Sequence, residues 1–204
     1  IITLTYSDFG CINQYKDSLM VYKNPVASFN ADTIENCVNS PFQFFNTSIS
    51  DYNLTQFWDF GNTKTSTDKN PINTYQYDGI YTVKLFVQDS VGCRDSIFLN
   101  NYIIVNPNPI AGFSPYQKEA SIYLPFITYK DESVDGILIK FNAGDNFYYY
   151  NFGEIKHEYN DTGYYYPSQV ITNIYGCTDT AIRQIYIKPE LSFFAPNAFT
   201  PNND

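Results

Sequence analysis

Polar and apolar residues alternate along this chain in short stretches, each interrupted by turn residues. From Gly79 to Gln88, Tyr81, Val83, Leu85 and Val87 fall on one side, with Thr82, Lys84, Phe86 and Gln88 on the other. That period of two belongs to a half-buried strand. Asp89-Ser90-Val91-Gly92 reads as a turn, and Cys93 to Val105 as the partner strand of a hairpin. Leu54 to Phe60 reads as another strand, with Trp58 inward and Gly61 free to take a positive φ in the next turn. Further along, Val170, Ile171 and Ile174 precede a second turn in the same manner. Strands this short, at spacings of about 8–12 residues, predict an all-β sandwich. No apolar run reaches the roughly 18 residues a membrane helix needs.

The same markers return in the same order. Gly10-Cys11 recurs as Gly92-Cys93 and Gly176-Cys177, 82 and 84 residues apart. Two positions later stand Asn13, Asp95 and Asp179. Ala27-Ser28-Phe29 returns as Ala111-Gly112-Phe113, and Pro41-Phe42 as Pro125-Phe126. Phe57-Trp58-Asp59-Phe60-Gly61 has an echo in Lys140-Phe141-Asn142-Ala143-Gly144. Tyr75, Gly79 and Tyr81 return as Tyr159, Gly163 and Tyr165. Repeats at a fixed period imply a tandem array. Residues 1–25 are expected to be the C-terminal part of one repeat, 26–109 a whole repeat and 110–191 a divergent one, with a tail over 192–204. The joints, at Asn24-Pro25, Pro107-Asn108-Pro109 and Lys188-Pro189, are short and Pro-bearing. No signal peptide is visible at Ile1, and the chain is expected to be cut from something longer.

Phe57-Trp58-Asp59-Phe60-Gly61, then Asn70-Pro71, Tyr75 and Gly79-x-Tyr81-x-Val83 resemble the PKD domain, an immunoglobulin-like β-sandwich. The family's usual Asp-Gly after the first of these motifs is Asn62-Thr63 here. The second repeat departs further, at Phe141 and Asn142, but keeps His157-Glu158-Tyr159. Tyr81 stands where such sandwiches place a tyrosine corner, whose hydroxyl ties back to nearby backbone. The tail, Phe194-Ala195-Pro196-Asn197-Ala198-Phe199-Thr200-Pro201-Asn202-Asn203-Asp204, resembles the opening of the gliding-motility-associated C-terminal domain, a sorting signal of type IX secretion in Bacteroidota. Together the resemblances imply structural or adhesive stalk repeats of a large extracellular, outer-membrane-tethered protein, similar to gliding adhesins. The implied partners are an outer-membrane secretion or anchoring protein and surface polysaccharide. Accessory modules of a secreted hydrolase are the alternative.

Composition narrows the partners. The 204 residues carry a net charge of −9, which argues against nucleic acid and anionic bilayers. Aromatic residues (19%) outnumber charged ones (16%), and 20 Tyr with 17 Phe suit pleated sheet. None of the four cysteines forms a C-x-x-C pair, so zinc or redox chemistry is not indicated. A disulfide between Cys37 and Cys93 is expected, closing a loop of about 57 residues worth roughly 4 kcal/mol. Cys177 is expected to be a buried free thiol, and the natural partner of Cys11 would precede Ile1.

Exported Bacteroidota proteins carry O-glycans at Asp-Ser/Thr before a small or aliphatic residue. Ser18, Thr33, Ser90, Ser96 and Thr180 fit that pattern. No catalytic motif, cofactor fingerprint or metal-ligand spacing is present, so neither an enzyme nor a cofactor is expected. His157 occupies a family structural position. Asp59 is expected to bond turn backbone rather than calcium, and Asp131 and Glu132 to lie in a solvated turn. Tyr148-Tyr149-Tyr150 and Tyr164-Tyr165-Tyr166 must each send tyrosines outward, where pairing across strands is favoured over sugar stacking.

Overall fold

The computed structural model describes residues 2–18 and 20–190, in two compact units, Ile1–Val105 and Asn106–Asp204. Among the described residues every regular element is a strand.

In the first unit, β1 (Ile2–Asp8) and β2 (Cys11–Asp17) form an isolated hairpin whose turn is Phe9-Gly10. The sandwich follows: β3 (Phe29–Ala31), β4 (Glu35–Cys37), β5 (Pro41–Asn46), β6 (Leu54–Asp59), β7 (Thr65–Ser66), β8 (Ile72–Thr74), β9 (Gly79–Asp89) and β10 (Arg94–Asn106). One sheet has the order β3-β5-β8, the other β4-β10-β9-β6-β7. The alternation read from the sequence holds: Val83, Leu85 and Val87 are buried, and Thr82, Lys84, Phe86 and Gln88 face outward. Between the layers Trp58 is fully buried, with the rings of Phe29 and Phe44 centred 5.2 and 5.8 Å away.

The second unit holds β11 (Phe113–Pro115), β12 (Glu119–Ser121), β13 (Phe126–Asp131), β14 (Leu138–Asn142), β15 (Tyr148–Tyr150), β16 (Glu154–Glu158), β17 (Gly163–Tyr165), β18 (Ser168–Thr172), β19 (Thr178–Ile182) and β20 (Ile185–Lys188). The sheet β11-β13-β16 makes one layer, and β15-β14-β18-β19 with β12-β20-β17 makes the other. The span that is one strand, β9, in the first unit is broken here into β17 and β18 at Tyr166-Pro167. Pro167 has no N–H to give to a ladder. Conversely β10 is continuous but slips register between Leu99 and Ile103.

Two expectations about this unit change. Pro41-Phe42 and Pro125-Phe126 are not structurally equivalent: Phe42 is buried, whereas Phe126 is half-buried and Ile127 takes the inward place. A one-residue offset exchanges the faces of a strand. Likewise only Ile171 of the apolar trio is buried; Val170 and Ile174 are exposed. At the position matching Leu85 stands a fully buried Gln169. Its amide is satisfied by donating to Asp131 Oδ1 at 2.7 Å and accepting from Gly112 N at 3.0 Å.

Candidate functional site

The repeated residues are mostly structural ties. In the hairpin turns, Asp89 Oδ1 accepts the amides of Val91 and Cys93, at 3.1 and 2.9 Å. Asn173 Oδ1 does the same for Tyr175 and Cys177, both at 3.0 Å. The glycines before the cysteines take φ of +83°, +95° and +80°, which explains their recurrence. The acidic residue two places after Cys93 and after Cys177 is a latch: Asp95 Oδ2 accepts from Ala27 N and Asp179 Oδ2 from Ala111 N, both at 2.8 Å. The tyrosine corners are formed, Tyr81 donating to Tyr77 O at 2.8 Å and Tyr165 to Asp161 O at 2.9 Å. Deeper, Tyr159 donates to Ala143 O at 2.8 Å and meets the Tyr129 hydroxyl at 2.6 Å. Burial, reinforced by Tyr129, pushes the Tyr159 hydroxyl far above the usual phenol range.

Asp59 accepts from Gly61 N and pairs with Lys84, both at 2.9 Å. The Gly61 amide and the Lys84 ammonium hold its carboxyl below the usual carboxylate range. Asn142 repeats the turn bond, accepting from Gly144 N at 2.8 Å. Asp59→Asn is therefore expected to keep the turn and lose only a part-exposed ion pair, worth at most about 1 kcal/mol. Because the folded carboxyl titrates below its unfolded value, its contribution is complete above about pH 4 and is lost as pH falls through the folded value. Urea melts of the first unit should show a shallower acid limb for Asp59→Asn. An unchanged limb means that the carboxylate carries none of it.

His157 is buried, and both ring nitrogens are engaged: Asp145 Oδ2 lies 2.7 Å from Nε2 and the Tyr149 hydroxyl 3.0 Å from Nδ1. Its ring meets Tyr159 edge-on at 4.6 Å, so it reads as a pinned core residue. Asp131 and Glu132 are not simply solvated: Asp131 bonds Ser133 N and Gln169, and Glu132 accepts from the Ser114 hydroxyl at 2.8 Å. The tyrosine clusters split as alternation requires, with Tyr149 and Tyr165 half-buried and Tyr148, Tyr150, Tyr164 and Tyr166 exposed. Tyr164 stacks on Tyr186 at 4.5 Å, and Lys140 Nζ sits 4.8 Å from the centre of the Tyr148 ring.

The cysteines correct the expected pairing. Cys93 is a half-buried free thiol, Cys11 is an exposed one, and Cys37 and Cys177 are disulfide-bonded. The reason is strand placement. β4 lies against the C-terminal end of β10, where Ile104 N donates to Ile34 O at 2.8 Å. Cys93 precedes the other end of that strand, about 36 Å away at ~3.3 Å per residue, far beyond the ~7 Å a disulfide allows. Alkylation before reduction, followed by peptide mapping, is expected to label Cys11 and Cys93, with Cys37 and Cys177 labelled only after reduction. A map joining Cys37 to Cys93 overturns this assignment.

Of the hydroxyls expected to carry glycans, Ser18, Ser90 and Thr180 are exposed, and Thr33 and Ser96 are half-buried. Residues 192–204, with the sorting-domain resemblance, lie outside the described residues.

One feature of the first unit was not foreseen. On the outward face of β6, β9 and β10, strand register aligns three rows: Thr55, Gln88 and Arg94; Phe57, Phe86 and Ser96; Asp59, Lys84 and Phe98. Phe86 packs against Phe57 at 6.2 Å and Phe98 at 5.5 Å, yet the three remain 44% (Phe57), 39% (Phe86) and 50% (Phe98) exposed. Phe57 and Phe86 line an open groove of about 570 Å³, with Thr55, Gln88, Arg94 and Ser96 among others.

Comparison with known proteins agrees with this architecture. The PKD domain family model matches residues 22–105. No curated protein matches the chain. The PKD1 domain of Vibrio anguillarum Epp is 31% identical, covering 42% of this chain and all of that domain, with a TM-score of 0.37. The PKD1 domain of the Vibrio cholerae metalloprotease PrtV is 35% identical, covering 41% of this chain and 99% of that one, with a TM-score of 0.36. A calcium-stabilised adhesin with which an Antarctic bacterium binds ice is 11% identical over 93% of this chain and 57% of its own, with a TM-score of 0.37. Through its residues 22–105, with their two-layered sheets, inward tryptophan and tyrosine corner, the chain belongs to the PKD-domain family.

Proposed function

We propose that these modules are non-catalytic stalk repeats of a large cell-surface adhesin, exported by type IX secretion in Bacteroidota and held at the outer membrane. Residues 1–25 are the end of one repeat, 26–109 a second and 110–191 a divergent third. Residues 192–204 lead into the sorting domain, which reaches the secretion or anchoring partner. The observation that carries this reading is that the repeated polar residues are spent on internal ties, the Asp latches, the tyrosine corners and the Asx turns, in both units alike. A module so built supplies a stable body rather than a reaction centre. Disulfide-bonded cysteines fit an oxidising, extracellular setting. Ser18, Thr33, Ser90, Ser96 and Thr180 are proposed glycan attachment points, a proposal that an intact mass equal to the bare polypeptide removes.

The second reading, accessory modules of a secreted hydrolase, draws on the exposed phenylalanine cluster, a surface suited to holding a substrate. The discriminating experiment is purification of the native protein from its source cells in mild detergent. A subunit far larger than this chain's 23.5 kDa, bound to an outer-membrane protein, is expected for the adhesin. A freely released protein with hydrolase activity overturns it.

A further inference from the structure

We infer that the outward face of β6, β9 and β10 is a polysaccharide-binding groove, and that it favours chains bearing uronate carboxylates. This holds for either role proposed above. A sugar ring offers an apolar C–H face and a rim of hydroxyls that both donate and accept. Its complement is an aromatic floor edged by amide, hydroxyl and guanidinium groups. Phe57 of β6 and Phe86 of β9 form that floor, and Phe98 of β10 packs beside Phe86. Gln88 and Arg94 form the edge, and among the described residues their side chains make no hydrogen bond or ion pair.

The aromatic cluster is not something the fold demands. In the second unit the matching outward positions are Lys140, Val170 and Ile182, in a sandwich of the same layers. The apolar strip is also narrow and crossed by polar rows, unlike the apolar core of a stable protein interface. Charge selects the ligand further. Arg94 is the one cation lining the groove, and among the described residues its guanidinium is unpaired, so the preference is local and works against the chain's overall charge of −9. The one carboxylate in the groove lining, Asp95, has its Oδ2 turned to the amide of Ala27. A guanidinium in that position suits a planar carboxylate, which it engages through two parallel hydrogen bonds.

The test is calorimetry and affinity electrophoresis of the whole 204-residue chain against polygalacturonate, alginate, xylan, mixed-linkage glucan and cellulose. Binding to a uronate polymer, weakened by added salt, is expected. Phe86→Val and Phe57→Lys carry the residues the second unit itself uses at these places, so the fold is expected to tolerate them, and thermal melting checks it. Phe86→Val should weaken binding about tenfold or more, the usual loss for a central aromatic anchor. Arg94→Gln should abolish the preference for uronate over neutral chains, while Tyr164→Ser in the second unit leaves binding unchanged. No binding across the polymers overturns the inference, as does binding that both phenylalanine variants leave intact. Sedimentation showing that two copies associate, with Phe86→Val restoring the monomer, overturns it in favour of a face that pairs copies of the chain.

Discussion

Trp58→Ala is expected to remove a large part of the stability of the first unit and leave the second unit's transition in place. Trp58 has no exposed surface and touches Phe29, Phe44 and Phe60, while its Nε1 donates to Asp68 O at 3.0 Å. Truncating a buried tryptophan costs about 3–5 kcal/mol, against a total of about 5–15 kcal/mol for a typical domain. For a unit of this size that lowers the midpoint by roughly 15 °C or more. The second unit has its own core, built on Phe113, Tyr129, Phe141 and Tyr159, so calorimetry should show one transition moved and one unmoved. Trp58→Phe should cost far less, because Phe141 already fills the matching place in the second unit. If Trp58→Ala moves both transitions equally, the cores do not melt as separate bodies.

Gly61→Ala should rank next. Gly61 has φ +75°, and a Cβ built there lies 2.5 Å from the backbone oxygen of Thr82, inside β9. The left-handed conformation costs about 1–2 kcal/mol, and the overlap with a strand that cannot yield adds roughly 1–3 kcal/mol. Gly92→Ala separates the two parts: φ is +95° there, but nothing lies within 4 Å of the added carbon. Trp58 is the chain's single tryptophan, so its fluorescence follows the first unit alone in urea. Equal midpoints for the two variants would show that Thr82 gives way.

Much of this was legible along the chain because it is local. Alternation from Gly79 onward named the inward side of β9, and the recurrence of Gly-Cys located the hairpins. What depended on non-local placement was not legible. The one-residue offset between Phe42 and Ile127 arises where two repeats of similar letters enter their strands differently. Cys37 and Cys93 lie early and late in one repeat but not near in space, because β4 meets the far end of β10. Phe57, Phe86 and Phe98 were visible as letters, but only strand register brings them together on one face. The latches of Asp95 and Asp179 were seen as repeats without their purpose, since their amide partners stand 68 residues earlier.

The pairing of β12 with β20 has a mechanical consequence. β12 lies near the start of its module and β20 near the end, and the two run parallel, with Glu119 beside Tyr186 and Ser121 beside Lys188. Tension on the two ends of such a module drags these strands past one another along their axes. The bonds from Tyr186 N to Lys118 O and from Ile122 N to Lys188 O, at 2.9 and 3.0 Å, are then loaded in shear, together with the Lys188–Glu119 ion pair. Bonds sheared together must break together, whereas an antiparallel hairpin peeled from its end surrenders them one at a time. The lock lies at the termini, so the aromatic interior feels the load only after that seam has given way.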